Sequence, residues 1–293
     1  MYIKRISLEN IRCFDKLDLE FASAGTSALF LGDNGDGKST VLRCLAMGLC
    51  DNSSASALFR ELSGPFVRHA PDRPAPSAGS KGHIKIYLDI GDGSTYKIQT
   101  EIESVKNSEQ VTQKLWKIDG DKREEELEQQ VFPWDRIFVA GYGPGLRTGG
   151  TQDYSRYQAV DAVYPLFVYD QPLQNPELII RRLIAVARDR AVDKQRDDAE
   201  QLVVERVQAL MKELLGLDSP EDFRLTDTGL EVKGSWGTEG LSQLGDGYQA
   251  TITWVLDLIS WWFLRESTSR SSAWKLESIE GSVIIDEIEQ PLH

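Results

Sequence analysis

The chain has 293 residues, 41% of them hydrophobic, and a formal net charge of −13, which suits one large globular domain or two modest ones. No apolar run is long enough to cross a bilayer, and Met1-Tyr2-Ile3-Lys4-Arg5 leads into a strand pattern instead of a signal peptide's apolar core, so a cytoplasmic protein without membrane contact is expected. The acidic balance argues against nucleic-acid binding by the whole surface, and Cys13, Cys44 and Cys50, odd in number and without metal-ligand spacing, argue against a disulfide framework or zinc site.

In chain order, "YIKRISLEN" and "KLDLEF" alternate apolar and polar residues and predict two half-buried strands joined through Arg12, Cys13 and Phe14. "SALFLG" is more uniformly apolar and predicts a third strand running into a glycine-rich loop, after which Val41, Leu42, Leu45, Ala46 and Leu49 recur at helical spacing. Residues 52–82, rich in Ser, Ala, Pro and Gly, read as an exposed, flexible insertion. "HIKIYLDI" and "TYKIQTEI" flank Gly91-Asp92-Gly93 as a hairpin, "VTQKLWKID" continues the antiparallel pattern, and "DRIFVAGYG" predicts a buried strand.

From Asn175 to Leu215 the period becomes helical, with one stripe at Leu178, Ile179, Leu183 and Val186 and another at Val203, Val207, Leu210, Met211 and Leu214. A weak strand pair, "FRLTDTGLEVKG", precedes "LSQLGDGYQATITWVLDLISWWF", a glycine turn opening an apolar helix, and "SVIIDEIEQPLH" is a buried strand ending in two carboxylates. The acidic stretches 124–128 and 189–213 read as solvated helix faces. His69 and His83 read as surface histidines, and Trp254, Trp261, Trp262 and Phe263 as core or interface packing.

Gly32-Asp33-Asn34-Gly35-Asp36-Gly37-Lys38-Ser39 fits G-x-x-x-x-G-K-[ST]. Glycines let the backbone wrap a phosphate so that the N–H groups from Asn34 to Thr40 face the anion. Lys38 neutralises β- and γ-phosphate charge, and Ser39 offers a hydroxyl to Mg²⁺. The strand ending in Asp286-Glu287 supplies a second half: the first carboxylate suits a Mg²⁺ site and the second a base that polarises water. Without the loop at Gly32, the pair would read as solvated carboxylates at a strand end. About forty residues before Asp286, Leu244-Gly245-Asp246-Gly247-Tyr248 opens a helix. That is either a second anion site or an ordinary glycine turn.

Together these pieces resemble the ABC-type ATPases of the SMC, RecF and OLD group. "IKRISLENIRCFDKLDLEF" is similar to that group's first strands and its N-F-R-x-F turn, "LGDNGDGKSTVLRCLA" to its Walker A helix, "QLGDGYQATI" to its signature motif, and "VIIDEIEQPLH" to Walker B and the D-loop. "VAGYGPGLR" and the short middle resemble the compact antiphage-defence ATPases of the Septu and retron-associated type. The resemblance implies an α/β fold: a mixed-sheet ATPase head with an antiparallel β subdomain and a helical lobe or short arm. It divides the chain into a core at 1–50 and 240–293, a β region at 51–174 and a lobe at 175–239.

It also implies ATP and Mg²⁺ as cofactors and a homodimer, or higher oligomer, of heads stacked head to tail. Asn34, Gly35, Asp36, Gly37, Lys38, Ser39 and Thr40 would grip phosphates in cis, Lys38 and Glu287 would be catalytic, and Ser39 and Asp286 would hold the metal. Gly245, Asp246 and Gly247 would reach the γ-phosphate in trans, and Arg12 would either reach the phosphates or serve as a surface charge. The partner implied is an effector, a nuclease or toxin, gated by nucleotide state. The alternatives are a DNA-clamping repair or recombination ATPase and a nucleotide-sensing scaffold.

Two departures stand out. Gly245 occupies the place where the signature has Ser, which predicts slow turnover; the register Leu241 to Gly245 would restore a serine but put Leu244 where glycine is wanted. His293 lies in the D-loop-like segment, so the switch histidine and last core strands are expected outside this chain. Gln152, Gln158 and the loop Tyr142 to Arg147 are all candidates for the Q-loop.

Overall fold

The computed structural model describes residues 1–22, 25, 27–69, 76–106, 108–120, 123–144, 149–150, 154, 156–190, 196–227, 229–266 and 279–287. By internal contacts the chain divides into two compact units. One comprises Met1–Tyr142, Gln158–Val168 and Glu280–Asp286; the other comprises Gly143–Tyr157, Tyr169–Ile279 and Glu287–His293. Among the described residues no helix is long and apolar enough to cross a membrane.

The first unit is built on a six-stranded antiparallel sheet in the order β2-β1-β3-β4-β5-β6. Its strands are β1 (Tyr2–Ile11), β2 (Phe14–Glu20), β3 (Lys81–Asp89), β4 (Thr95–Val105), β5 (Ser108–Ile118) and β6 (Glu124–Leu127). Strict alternation puts Ile84, Ile86 and Leu88 of β3 and Ile98 and Ile102 of β4 at zero exposure on one face. Onto that face pack α1 (Lys38–Gly48) and α2 (Asn52–Arg60). The approach is close at Gly48, where a Cβ would lie 2.5 Å from Ile86 Cδ1. A parallel pair, β7 (Val139–Tyr142) with β11 (Ser282–Ile285), touches α1 in the same unit, and the short helix α3 (Ala159–Val163) packs on β7.

The second unit packs α4 (Pro176–Arg190), α5 (Arg196–Leu215) and α6 (Asp246–Glu266) with a three-stranded sheet, β10-β9-β8. Its strands are β8 (Phe223–Leu225), β9 (Leu230–Gly234) and β10 (Gly237–Gly240). Its core joins Ile179, Ile180 and Leu183 to Val203, Val207 and Met211, while Leu178 and Leu214, expected on the buried stripes, stand about half exposed. Trp261, Trp262 and Phe263 are buried in α6. Within this unit the buried Gln174 donates to the buried Asp257 (3.0 Å) and accepts from the half-buried Arg182 (2.8 Å), linking α4 to α6.

The chain is thus a mixed α/β protein with an antiparallel sheet and helices, as the sequence predicts. Four local expectations change. "SALFLG" forms no strand: residues 27–33 run without ladder partners among the described residues, and Leu29 and Leu31 are 74% and 84% exposed. Of the expected insertion 52–82, residues 52–60 are α2, whose Ala55 and Leu58 recur at helical spacing and are buried, and beyond it Phe66 and Val67 are fully buried, Val67 bridging to Ile11; residues 70–75 lie outside the described residues. The acidic stretch 124–128 is no helix face. Glu124–Leu127 pairs antiparallel with β5, and Lys97 meets Glu124 at 2.6 Å and offsets the charge. His83 is half-buried on β3, its ring 3.7 Å from Glu101.

Candidate functional site

The loop before α1 bends through two left-handed positions, Gly35 (φ 98°) and Gly37 (φ 92°), which glycine adopts without strain. Gly37 caps α1 with no side chain, and the first turn of α1 carries no acidic residue of its own, which leaves the positive helix end without a local counter-charge. Lys38 folds back over the loop, its Nζ donating to the carbonyls of Gly32 (2.5 Å) and Asp33 (2.9 Å). Asp36 does the reverse: its Oδ2 accepts from the Asp33 amide at 2.7 Å and takes one N–H that a phosphate could otherwise use. Asn34 is exposed on the loop, Ser39 is half-buried in the first turn and Thr40 is buried.

β11 brings Asp286 into the same unit. Its amide donates to Tyr142 O at 2.8 Å, extending the parallel pairing one residue past the strand. The side chain is 5% exposed, and Oδ2 has no hydrogen-bond partner among the described residues. A buried carboxylate oxygen left so is costly unless a cation meets it, and a hard cation with oxygen ligands fits both Asp286 and the Ser39 hydroxyl. Mg²⁺ keeps most of its waters and takes only one or two protein carboxylates, so this donor set suits it. Among the described residues no group of three or more His, Cys, Asp or Glu is gathered to hold a metal. Glu287 follows, exposed and in the left-handed region at φ 54°.

Arg12 is engaged beside the loop. Its Nη2 donates to Ser63 O at 2.9 Å and its guanidinium stacks 4.6 Å from the centre of the Phe66 ring. Burial, with Arg43 nearby, lowers its pKa from the ordinary value. Of the cysteines, Cys13 is exposed in the β1–β2 turn, and Cys44 and Cys50 are buried, which pushes their thiol pKa values up.

The turn at Gly245 belongs to the second unit. α6 begins at Asp246, with the amides of Tyr248 and Gln249 donating to Gly245 O at 3.0 and 3.1 Å. Gln249 Nε2 donates to Leu244 O at 2.6 Å, so Leu244 and Gly245 are held from inside the helix. Gly247 lies in that first turn beside Asp246, whose carboxylate suits the positive helix end. The Trp236 and Tyr248 rings meet at 5.1 Å beside it. A cavity of about 400 Å³ in this unit is lined by Glu177, Glu231, Gln243 and Gln249 among others. Its wall carries carboxylates and, among the described residues, no cationic side chain.

Gln158 caps α3 without a side-chain bond, and Gln152, Arg147 and His293 lie outside the described residues. No sequence signal marks Arg68, whose guanidinium reaches the β1–β2 turn, or Glu109 of β5, whose carboxylate accepts from the Phe66 and Val67 amides.

Comparison with known proteins finds no curated protein that matches the chain. Among solved structures, it is similar to the crystal structure of the SmcHead bound to the C-winged helix domain of ScpA, at 12% identity and a TM-score of 0.48, covering 100% of this chain and 91% of that one. The AAA_23 family, described as an AAA domain, matches residues 5–214, well over half of the sequence, including the loop at Gly32. The chain therefore belongs to the AAA domain family AAA_23.

Proposed function

We propose that the protein is an ABC-type ATPase, similar to the SMC and RecF group, that binds and hydrolyses ATP with Mg²⁺. The observation that carries this reading is Asp286: a buried carboxylate with one oxygen unmet, at the end of a strand touching the helix that the phosphate loop opens. In this reading Lys38 leaves the Gly32 and Asp33 carbonyls for the β- and γ-phosphates, and the amides from Asn34 to Thr40 complete the cradle. Ser39 and Asp286 hold the cation, which supplies charge neutralisation between the phosphates. Glu287 takes the proton of the attacking water.

Gly245, Asp246 and Gly247 close the site from a second copy stacked head to tail, so that ATP joins two heads. By resemblance to compact antiphage-defence ATPases, the nucleotide state of the dimer gates an effector, a nuclease or toxin. The net charge of −13 favours this over DNA clamping. Gly245, lacking the signature serine's hydroxyl, supports slow hydrolysis and, at its extreme, a nucleotide-sensing scaffold.

The test is Mg-ATP binding, turnover and solution mass for wild type, Lys38→Ala and Glu287→Gln. Lys38→Ala should lose ATP affinity by about tenfold to a hundredfold, as for a charge-assisted bond. Glu287→Gln should accumulate an ATP-bound dimer. Salt-dependent DNA binding by the protein alone would move the reading to a DNA clamp.

A further inference from the structure

The turn joining β1 to β2 is a strained piece of backbone lying directly against the phosphate loop. Asn10 (φ 57°) and Arg12 (φ 43°) are both non-glycine residues in the left-handed region, two positions apart. Such a conformation persists only where its surroundings hold it.

The holding comes from residues 63–68. Arg12 N donates to Phe66 O at 2.8 Å and Arg68 N to Asn10 O at 3.0 Å. Arg68 Nη1 then donates to the turn's own carbonyls, Cys13 O at 2.6 Å and Arg12 O at 3.3 Å. The segment is itself fixed from β5, where the two oxygens of Glu109 accept from the Phe66 and Val67 amides, each at 2.8 Å.

On its other side the turn meets the loop. A Cβ at Gly37 would lie 2.5 Å from Cys13 Sγ and 2.6 Å from Phe14 Cζ, and Cys13 Sγ is 3.8 Å from Asp36 O. The backbone one residue before Lys38 therefore rests on Cys13 and Phe14, and Arg68 sets where these sit.

We propose that Arg68 is a positioning residue for the phosphate loop: by gripping the Arg12 and Cys13 carbonyls, it fixes the wall against which Gly37 is held in the shape a phosphate needs. Its effect on affinity rests on the nucleotide reading, whereas its effect on loop order does not.

Two measurements test it on the full chain, with Arg68→Ala and Arg68→Lys. In nucleotide-free protein, amide hydrogen exchange over residues 33–38 should be at least several-fold faster in Arg68→Ala than in wild type, with Arg68→Lys between them. Mg-ATP affinity, measured well below the melting temperature, should fall about tenfold in Arg68→Ala, the loss of one to two hydrogen bonds' worth of positioning, and recover in part in Arg68→Lys. If Arg68→Ala does not fold, Cys13→Ala removes the Sγ side of the wall at Gly37, leaving Phe14 and the turn's backbone hydrogen bonds in place, and should show the same two changes to a smaller extent. Unchanged exchange over 33–38 would overturn the proposal whatever the ligand. Faster exchange in a protein whose wild type binds no Mg-ATP would uphold the positioning and overturn the nucleotide reading instead.

Discussion

Asp286 is bonded to Tyr142 through its backbone: the amide donates to the Tyr142 carbonyl at 2.8 Å, while the buried side chain keeps Oδ2 without a partner among the described residues. The strand pairing thus fixes where the carboxylate sits, and that oxygen contributes nothing to the pairing. Asp286→Asn should keep the fold, because the strand pairing uses only the backbone of this residue. The same substitution should abolish the rise in melting temperature expected of the wild type with Mg²⁺ and ATP. An equal rise in both proteins would show that Asp286 does not hold the cation.

Glu287, the proposed base, sits on an unfavourable backbone. At φ 54° a non-glycine residue costs on the order of 1 kcal/mol, so Glu287→Gly should stabilise the protein modestly while stopping turnover. Glu287→Gln keeps the side chain's size and the backbone strain. It should slow hydrolysis by about 10²–10⁴-fold, the usual contribution of a general base, with ATP still bound. Wild-type turnover in Glu287→Gln would remove Glu287 from the base role.

The strands β1 to β5 and the helices α1, α4, α5 and α6 are legible in the sequence because each has a periodicity of its own, and one buried face enforces it. The segment Ser27 to Gly32 has the composition of a strand but not the structure, since a strand exists only with a partner and the described residues offer it none. β6 is hidden for the converse reason: four residues rich in Glu pair because Lys97 and Lys117 stand beside them, which composition alone does not reveal. Glycine spacing marks the phosphate loop. Nothing local marks Arg68, whose partners at Asn10, Arg12 and Cys13 lie more than fifty positions away in the chain.

The exposed leucines before the loop give a direct measure of that difference. With Leu31 at 84% exposure and Leu45 at 4%, Leu31→Ser should change stability by no more than about 0.5 kcal/mol. Leu45→Ala in α1 should cost about 2–5 kcal/mol. Urea unfolding of both variants checks this, and a large loss in Leu31→Ser would mean that the segment is packed after all.

Asp51 ties part of the first unit's stability to pH. It caps α2, its Oδ1 accepting from the amides of Ser53 (2.9 Å) and Ser54 (3.1 Å), and both serine hydroxyls donate to the carboxylate at 2.6 Å. Burial pushes its pKa up, but the bonds from Ser53 and Ser54 together outweigh it and leave the pKa below the ordinary Asp value. A folded-state pKa below the unfolded one means that the stabilisation is fully present above the unfolded value, about 4, and is lost as pH falls through the folded value. Urea unfolding should therefore be insensitive to this group from about pH 5 to 7 and weaken below about pH 4. Asp51→Asn, which keeps a cap without a charge, should flatten that part of the acid dependence, and Asp51→Ala should cost about 1 kcal/mol at neutral pH. An acid limb as steep in Asp51→Asn as in wild type would assign the pH sensitivity to other carboxylates.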